Sequence, residues 1–239
     1  MKLAAGIRLD ANGLAQSINA MQMQMDIMGI FGENVIGFDK IGYQRKEAVI
    51  SSFAEYIGTN ALSHSTDTQV GRLAMTQKPL DVALSDKGYF QVLNPDGSIE
   101  VTRDGRFKLS KNGELLTQAN QSVLSSGGLP IVLPYVPEDI SKISIGLDGK
   151  IAVFSDEARG LVNAGTIGVF SEDGSIVSSN CVRQGYVESS NVQLEREYLE
   201  MTNHNKSFEA NARMFRLQNS KLSTAFSEEF YKTEYPIEP

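Results

Sequence analysis

Tryptophan is absent from this 239-residue chain, cysteine occurs once, histidine twice and proline seven times. A single thiol, Cys181, cannot close an intramolecular disulfide, so the stapled framework of many small secreted domains is excluded. His64 and His204 have no Cys, His or carboxylate at metal-ligand spacing; His64 reads as a loop residue in the polar stretch HSTDT and His204 as a solvated helix residue. Neither G-x-x-x-x-G-K-[ST] nor G-x-G-x-x-G occurs, which leaves a phosphate cradle without support. No run approaches the roughly 20 apolar residues of a membrane-spanning helix. Arg8 and Asp10 fall where a signal peptide has its apolar centre, so export, if any, is expected without a cleaved signal. Basic residues are outnumbered, 22 Lys plus Arg against 29 Asp plus Glu, for a formal charge of -7. Nucleic-acid binding requires a basic face that releases phosphate counterions, and this balance argues against it. No catalytic group, cofactor, metal or small-molecule substrate is expected.

What is present is a 41% hydrophobic content, enough for a sizeable core, and three differently patterned regions. At the N-terminus Ile7, Ala11, Leu14, Ile18, Met21, Met25 and Met28 recur in steps of 4 and 3, one apolar seam of a helix. Gly6 and Gly13 each lower its propensity by about 1 kcal/mol relative to Ala, so this helix needs a partner. Met23 stands off the seam and suits an adaptable contact surface, because Met repacks against varied neighbours. Residues 34–77 read as a connecting region of extended segments with a short helix over Ala48–Ile57.

Residues 78–186 read as an antiparallel β domain. Asp96-Gly97, Asp104-Gly105, Asn112-Gly113, Asp148-Gly149 and Asp173-Gly174 punctuate short apolar runs such as GYFQVL, SIEVT, RFKLS, ISIG and KIAVF. Asx-Gly pairs readily adopt the positive φ of tight hairpin turns. The same pairs lack the ordered oxygen ligands of an EF-hand. Pro130, Pro134 and Pro137 suit edges and connections.

After QGYVESSNV (184–192) the longest stretch without Gly or Pro begins. Ser190 with Gln193 fits a capping box, and Glu195 and Glu197 lie near the positive end of the helix dipole. Leu194, Tyr198, Met201, Asn205, Phe208, Ala212, Phe215, Asn219, Leu222 and Phe226 then form a heptad seam, with Asn205 and Asn219 as buried amides that would fix register. A helix over 190–226 is about 55 Å long, too long for the β domain to cover. The expected fold is therefore α+β: long terminal helices (1–33 with 187–226) paired as a coiled coil, an inserted antiparallel β domain, and a tail over 227–239.

Two blocks resemble the bacterial flagellar basal-body rod and hook family. KPLDVALSDKGYFQVLNPDGSIEVTRDGRFKLSKNGELLT (78–117) is similar to the family's Leu-Asp-Val-Ala run, its Gly-aromatic-Phe strand and its Tyr-Thr-Arg-Asp-Gly-x-Phe segment. QGYVESSNV with Ser207–Asn211, SFEAN, resembles the C-terminal Gln-Gly-x-Leu-Glu-x-Ser-Asn-Val and aromatic-Glu-x-Asn. A third segment, 33–53, matches the N-terminal Asn-rich motif at Asn34, Gly42, Tyr43 and Arg45, while Gly37, Asp39 and Lys40 depart from it. Pro79-Leu80-Asp81 and the modest length look most like the proximal rod members, with the distal ones a near second.

The resemblance implies a structural subunit of the periplasmic rod that self-assembles helically. Its implied partners are further copies and other rod, hook and export-apparatus proteins. The implied assembly interface comprises Ile7, Leu14, Ile18, Met21, Met25, Met28, Asn34, Gly42, Tyr43, Gln184, Gly185, Ser190, Asn191, Leu194, Tyr198, Met201, Asn205, Phe208, Asn211, Phe215, Asn219, Leu222 and Phe226. The alternative from the residues alone is a β-rich binding or adhesin module on a coiled-coil stalk. Heptads at both termini and the lack of tryptophan weigh against it.

Overall fold

The computed structural model describes residues 3–50, 62–155, 159–177 and 180–234, with side chains over 13–49, 62–155, 159–177, 180–225 and 227. The two long stretches without proline form the two long helices. They are α1 (Leu3–Gly37, 35 residues) and α2 (Leu194–Glu234, 41 residues). The chain forms two compact units. A helical unit comprises Met1–Val35, Lys46–Ser65 and Gln193–Pro239, and a β unit comprises Ile36–Arg45 and Thr66–Val192. The stretch 34–77, expected as one connector, is divided between them.

Within the helical unit the expected coiled coil is replaced by a different contact. The helices run antiparallel and meet through polar pairs: Ser17 Oγ donates to Gln218 Oε1 (3.4 Å), Gln24 Oε1 lies 2.6 Å from His204 Nδ1, and Asn34 Nδ2 donates to Glu197 Oε2 (3.0 Å). Ser17, Gln24, Asn34 and Glu197 are buried, whereas the expected seam residues Ile18, Met25 and Tyr198 are 40%, 60% and 51% exposed. Asn205 and Asn219 also face solvent. The buried and half-buried positions of α2 are Leu194, Glu197, Glu200, Met201, His204, Phe208, Asn211, Ala212, Phe215, Gln218 and Leu222. Polar residues interrupt the apolar ones, so hydrogen bonds replace part of the continuous row of apolar knobs that a coiled coil interlocks. Ile27 and Phe31 supply the buried apolar contacts of α1, and the Phe31 ring lies 5.3 Å from that of His204. His204 is therefore half-buried between the helices rather than solvated.

Three boundaries also differ from expectation. α2 begins at Leu194, not Ser190: the Gln193 carbonyl accepts from Glu197 N–H (3.1 Å), while Ser190 Oγ accepts from Val192 N–H (3.2 Å) in the preceding turn. At its other end α2 continues to Glu234, through most of the expected tail. Ala48–Ile50 belong to a strand, β1 (Lys46–Ile50), which pairs with β2 (Leu62–Thr66); 51–57 lie outside the described residues. His64 sits exposed on β2 rather than in a loop.

The β unit contains β3 (Leu73–Met75), β4 (Val82–Leu84), β5 (Tyr89–Leu93), β6 (Ile99–Thr102), β7 (Phe107–Leu109), β8 (Leu115–Thr117), β9 (Ser122–Val123), β10 (Ile143–Ile145), β11 (Lys150–Ser155), β12 (Gly160–Thr166), β13 (Val169–Phe170), β14 (Val182–Gln184) and β15 (Tyr186–Glu188). Six strands form one sheet in the order β13-β5-β9-β8-β7, with β6 also on β5, and β10-β11-β12 form a second. The paired strands of the β unit run antiparallel. Alternation along the strands places Phe90, Val92, Phe107, Leu115, Val123, Ile143, Ile145, Ile151 and Val153 in one core, where the rings of Phe90 and Phe107 meet edge to face. Cys181 is buried in the same core.

Four of the five Asx-Gly turns close β-structure: Gly97, Gly113, Gly149 and Gly174 have φ of 80–86°. Asp104-Gly105 does not, since β6 pairs with β5 and β7 with β8. Gly105 is required for a different reason: its carbonyl accepts from Val82 N–H (2.9 Å), and a Cβ there would lie 1.7 Å from Val82 O.

Candidate assembly interface

In the β unit the stretch QGYVE forms two short strands hinged at Gly185, whose φ is +78°. β14 pairs with β4 and β15 with β3, so the departing chain lies antiparallel to the strands that flank 76–81. Gly185 N–H donates to Asp81 O (2.7 Å) and its carbonyl accepts from Thr76 N–H (2.8 Å), closing the crossing between the pairs. Gln184 carries the same role in its side chain. Nε2 donates to Pro79 O and Ile143 O, both at 2.8 Å, and Oε1 accepts from Ile145 N–H (3.1 Å).

Glu188 ends β15 with its carboxylate 2% exposed, facing the equally buried guanidinium of Arg103 at 2.6 Å. Arg103 also donates to the carbonyls of Gly88 (2.6 Å) and Asp86 (3.1 Å), and Glu188 Oε1 accepts from Gly71 N–H (2.8 Å). A buried pair needs such extra bonds to offset desolvation, and here both partners have them. The Arg of the TRDG segment and the Glu of QGYVESSNV are thus one structural unit, although 85 residues apart.

Asn191 joins the same region: Oδ1 accepts from Arg45 N–H (2.7 Å), and Nδ2 donates to Asp67 O and Gln69 O (3.0 Å each). Gly42, at φ +69°, donates its N–H to Glu188 O (2.7 Å); a Cβ there would meet Asp104 N at 2.5 Å. Tyr43 lays its ring where a Cβ on Gly37 would stand, 2.4 Å from its atoms, which accounts for Gly at 37. Arg45, Arg103 and Glu188 form no part of the expected site, yet they are buried with it; the Arg in TRDG and the Glu in QGYVE were the available signals.

In the helical unit Asn34 acts on Lys46 as a neighbouring strand would. Its Oδ1 accepts from Lys46 N–H and its Nδ2 donates to Lys46 O, both at 2.8 Å. Glu33 pairs with the Lys46 ammonium at 2.7 Å, and that contact holds the Glu33 carboxyl below its ordinary pKa. Leu14, Met21, Met28, Leu194, Met201, Phe208, Asn211, Phe215 and Leu222 are half-buried, whereas Ile18, Met25, Tyr198, Asn205 and Asn219 face solvent. Ile7 and Phe226 lie outside the described side chains. The expected residues therefore divide. Asn34, Gly42, Gln184, Gly185 and Asn191 use their polar groups inside the chain, and the outward helix positions face solvent.

Two family models match the chain. Residues 83–153 match the flagellar hook protein FlgE/F/G D1 domain, and residues 183–227 match the flagellar basal body rod FlgEFG protein C-terminal region. The chain belongs to the flagellar basal-body rod protein family. Its relatives in that family include the flagellar basal-body rod protein FlgG of Buchnera aphidicola subsp. Acyrthosiphon pisum, 29% identical over 70% of this chain and 72% of its own. FlgG of Bacillus subtilis is 26% identical over 81% of this chain and 88% of its own. The flagellar basal-body rod protein FlgF of Mesorhizobium japonicum is 27% identical over 86% and 91%. The first matched region spans the rod-family chain's Arg103, and the second begins at the QGYVESSNV junction, where Glu188 meets that arginine. Among the described residues no helix is long and apolar enough to cross a membrane.

Proposed function

We propose that the chain is a structural subunit of the flagellar basal-body rod. Its work is mechanical rather than catalytic: stacking in a helical array, transmitting torque and surrounding an export channel. The observation that supports this most is the division of surfaces. The β unit satisfies its motif residues internally, while the terminal helices share one unit and leave Ile18, Met25, Leu199, Met214 and Leu217 at least 40% exposed. Exposed apolar rows of this kind gain stability when a neighbour covers them. The subunit is exported by the flagellar apparatus without a cleaved signal peptide, reaches the periplasmic rod, and contacts further copies and other rod, hook and export-apparatus proteins.

In this reading the half-buried and exposed helix residues among Leu14–Met28 and Leu194–Leu222, together with Ile7 and Phe226, form the contact surface between subunits. The division of labour is helical assembly by α1 and α2 and an independent β fold in the unit of Ile36–Arg45 with Thr66–Val192. Deleting 1–28 or 190–226 is expected to abolish rod assembly and motility in a strain lacking the native chain, while circular dichroism retains the β signal. Truncated chains that still build motile flagella would overturn the reading.

A further inference from the structure

Half-buried apolar residues of the two long helices repeat every seven positions: Leu14, Met21 and Met28 on α1, and Leu194, Met201, Phe208, Phe215 and Leu222 on α2. Sliding one helix along the other by a heptad, about 10 Å at 1.5 Å per residue, sets apolar against apolar again. This row therefore does not fix the alignment of the two helices within the chain.

The polar column differs. On α2 it also recurs every seven positions, as Glu197, His204, Asn211 and Gln218, but each member is a different residue type. The α1 partners are unevenly placed: Asn34 meets Glu197, Gln24 meets His204 ten residues back, and Ser17 meets Gln218 seven further. Asn34 is held independently, because its amide also bonds the N–H and the carbonyl of Lys46. A heptad slip toward the start of α1 would set the Glu197 carboxylate against Ile27, both 0% exposed in the native alignment. The opposite slip would put His204 at Asn34 and carry Glu197 past Gly37, where α1 ends.

We infer that Asn34 with Glu197, Gln24 with His204 and Ser17 with Gln218 are the residues that determine register: they select one alignment of α1 on α2 from those the apolar row accepts. Buried polar groups serve this purpose at a cost in stability, because a shifted alignment leaves them facing apolar neighbours. The role expected of Asn205 and Asn219, which face solvent, thus falls to these pairs. Alignment decides which helix residues each copy leaves outward. Its consequence for assembly, that every copy presents the same surface, rests on the rod-subunit reading above.

The test measures alignment in the purified full-length chain. Spin labels are placed through Met25→Cys and Lys221→Cys, both exposed positions, with Cys181→Ala leaving no other thiol, and the distance between them is read by pulsed electron resonance. With the native pairs a single distance is expected. An apolar variant carries Ser17→Ala, Gln24→Leu, His204→Leu, Glu197→Leu and Gln218→Leu and keeps Asn34 for Lys46. It is expected to retain the helical circular dichroism and an unfolding midpoint at least as high, because apolar groups can replace buried polar ones without loss. Its distance is expected to split into populations that differ by up to about 10 Å. Two matched variants, Glu197→Gln alone and Gln24→His with His204→Gln, keep a partner in each pair and are expected to keep the single distance. One unchanged distance in the apolar variant would overturn the inference, since the apolar row would then set the register alone. So would loss of its helical signal, which would make the pairs a source of stability instead. In a strain lacking the native chain the apolar variant is expected to be as non-motile as the deletion; wild-type motility with a split distance would overturn the link to assembly. Because the distances are read in the isolated chain, absence of the wild-type chain from basal bodies would overturn the rod reading and leave the register assignment standing.

Discussion

Replacing Arg103 with Met keeps an apolar stem but strands the Glu188 carboxylate, whose side chain is only 2% exposed. The carboxylate retains the Gly71 N–H as a partner, while the carbonyls of Gly88 and Asp86 lose their donor. Breaking one side of a buried ion pair costs about 3–5 kcal/mol, because the remaining charge stays desolvated. For a domain of this size about 4 kcal/mol lowers the melting midpoint by roughly 8–16 °C. With no tryptophan in the chain, unfolding is followed by tyrosine fluorescence and near-ultraviolet circular dichroism, to which Tyr89, near the Arg103 guanidinium, contributes. The double variant Arg103→Met with Glu188→Met removes both charges and is expected to lose much less stability than the sum of the two single losses. A single-variant loss below about 1 kcal/mol, or strictly additive losses, would refute the claim that this pair ties the two motif segments together.

Other expected outcomes follow from the same geometry. Gly105→Ala, which drives a Cβ against Val82 O, is expected to destabilise far more than Gly97→Ala, whose site is open and loses only the left-handed preference, about 1 kcal/mol; equal effects in urea denaturation would contradict the close-approach reading. Asp173 is held down to about 2 by the Ser171 hydroxyl and then by the Ser175 N–H, with Asp96, Asp139 and Asp148 also lowered by their turn partners. A carboxyl with a lowered folded-state pKa stabilises fully above its ordinary value near 3.8 and loses that contribution as pH falls through the folded value. The unfolding midpoint should therefore decline between about pH 4 and pH 2, less steeply in Asp173→Asn, and an unchanged slope would count against the turn contact. Phe208→Asp places a charge on the half-buried face of α2 and is expected to abolish assembly while the β unit melts as in the wild type.

The β unit was largely legible because strand runs and Asx-Gly turns are local signals. Asp104-Gly105 was misread because a glycine needed for close approach has the same spelling as one needed for a turn. The helices were legible as helices, and their contact was not. Selecting apolar residues at heptad spacing picked the half-buried Met201, Phe208, Phe215 and Leu222 but also the outward Ile18, Met25 and Tyr198, and it passed over the buried Ser17, Gln24 and Glu197, each bonded to a polar partner on the other helix. Pairing of polar residues 163 to 201 positions apart leaves no local pattern. The motif residues carried their resemblance correctly, but their geometric meaning emerges only in three dimensions. Asn34, Gln184 and Asn191 are side-chain amides standing in for missing backbone partners.

The central claim is that this chain is a rod subunit whose terminal helices meet those of its neighbours. Cryo-microscopy of isolated basal bodies tests it most directly. The account predicts density for this chain in a rod layer, with its terminal helices against those of adjacent subunits. A rod fully accounted for by other proteins, with this chain absent, would contradict it.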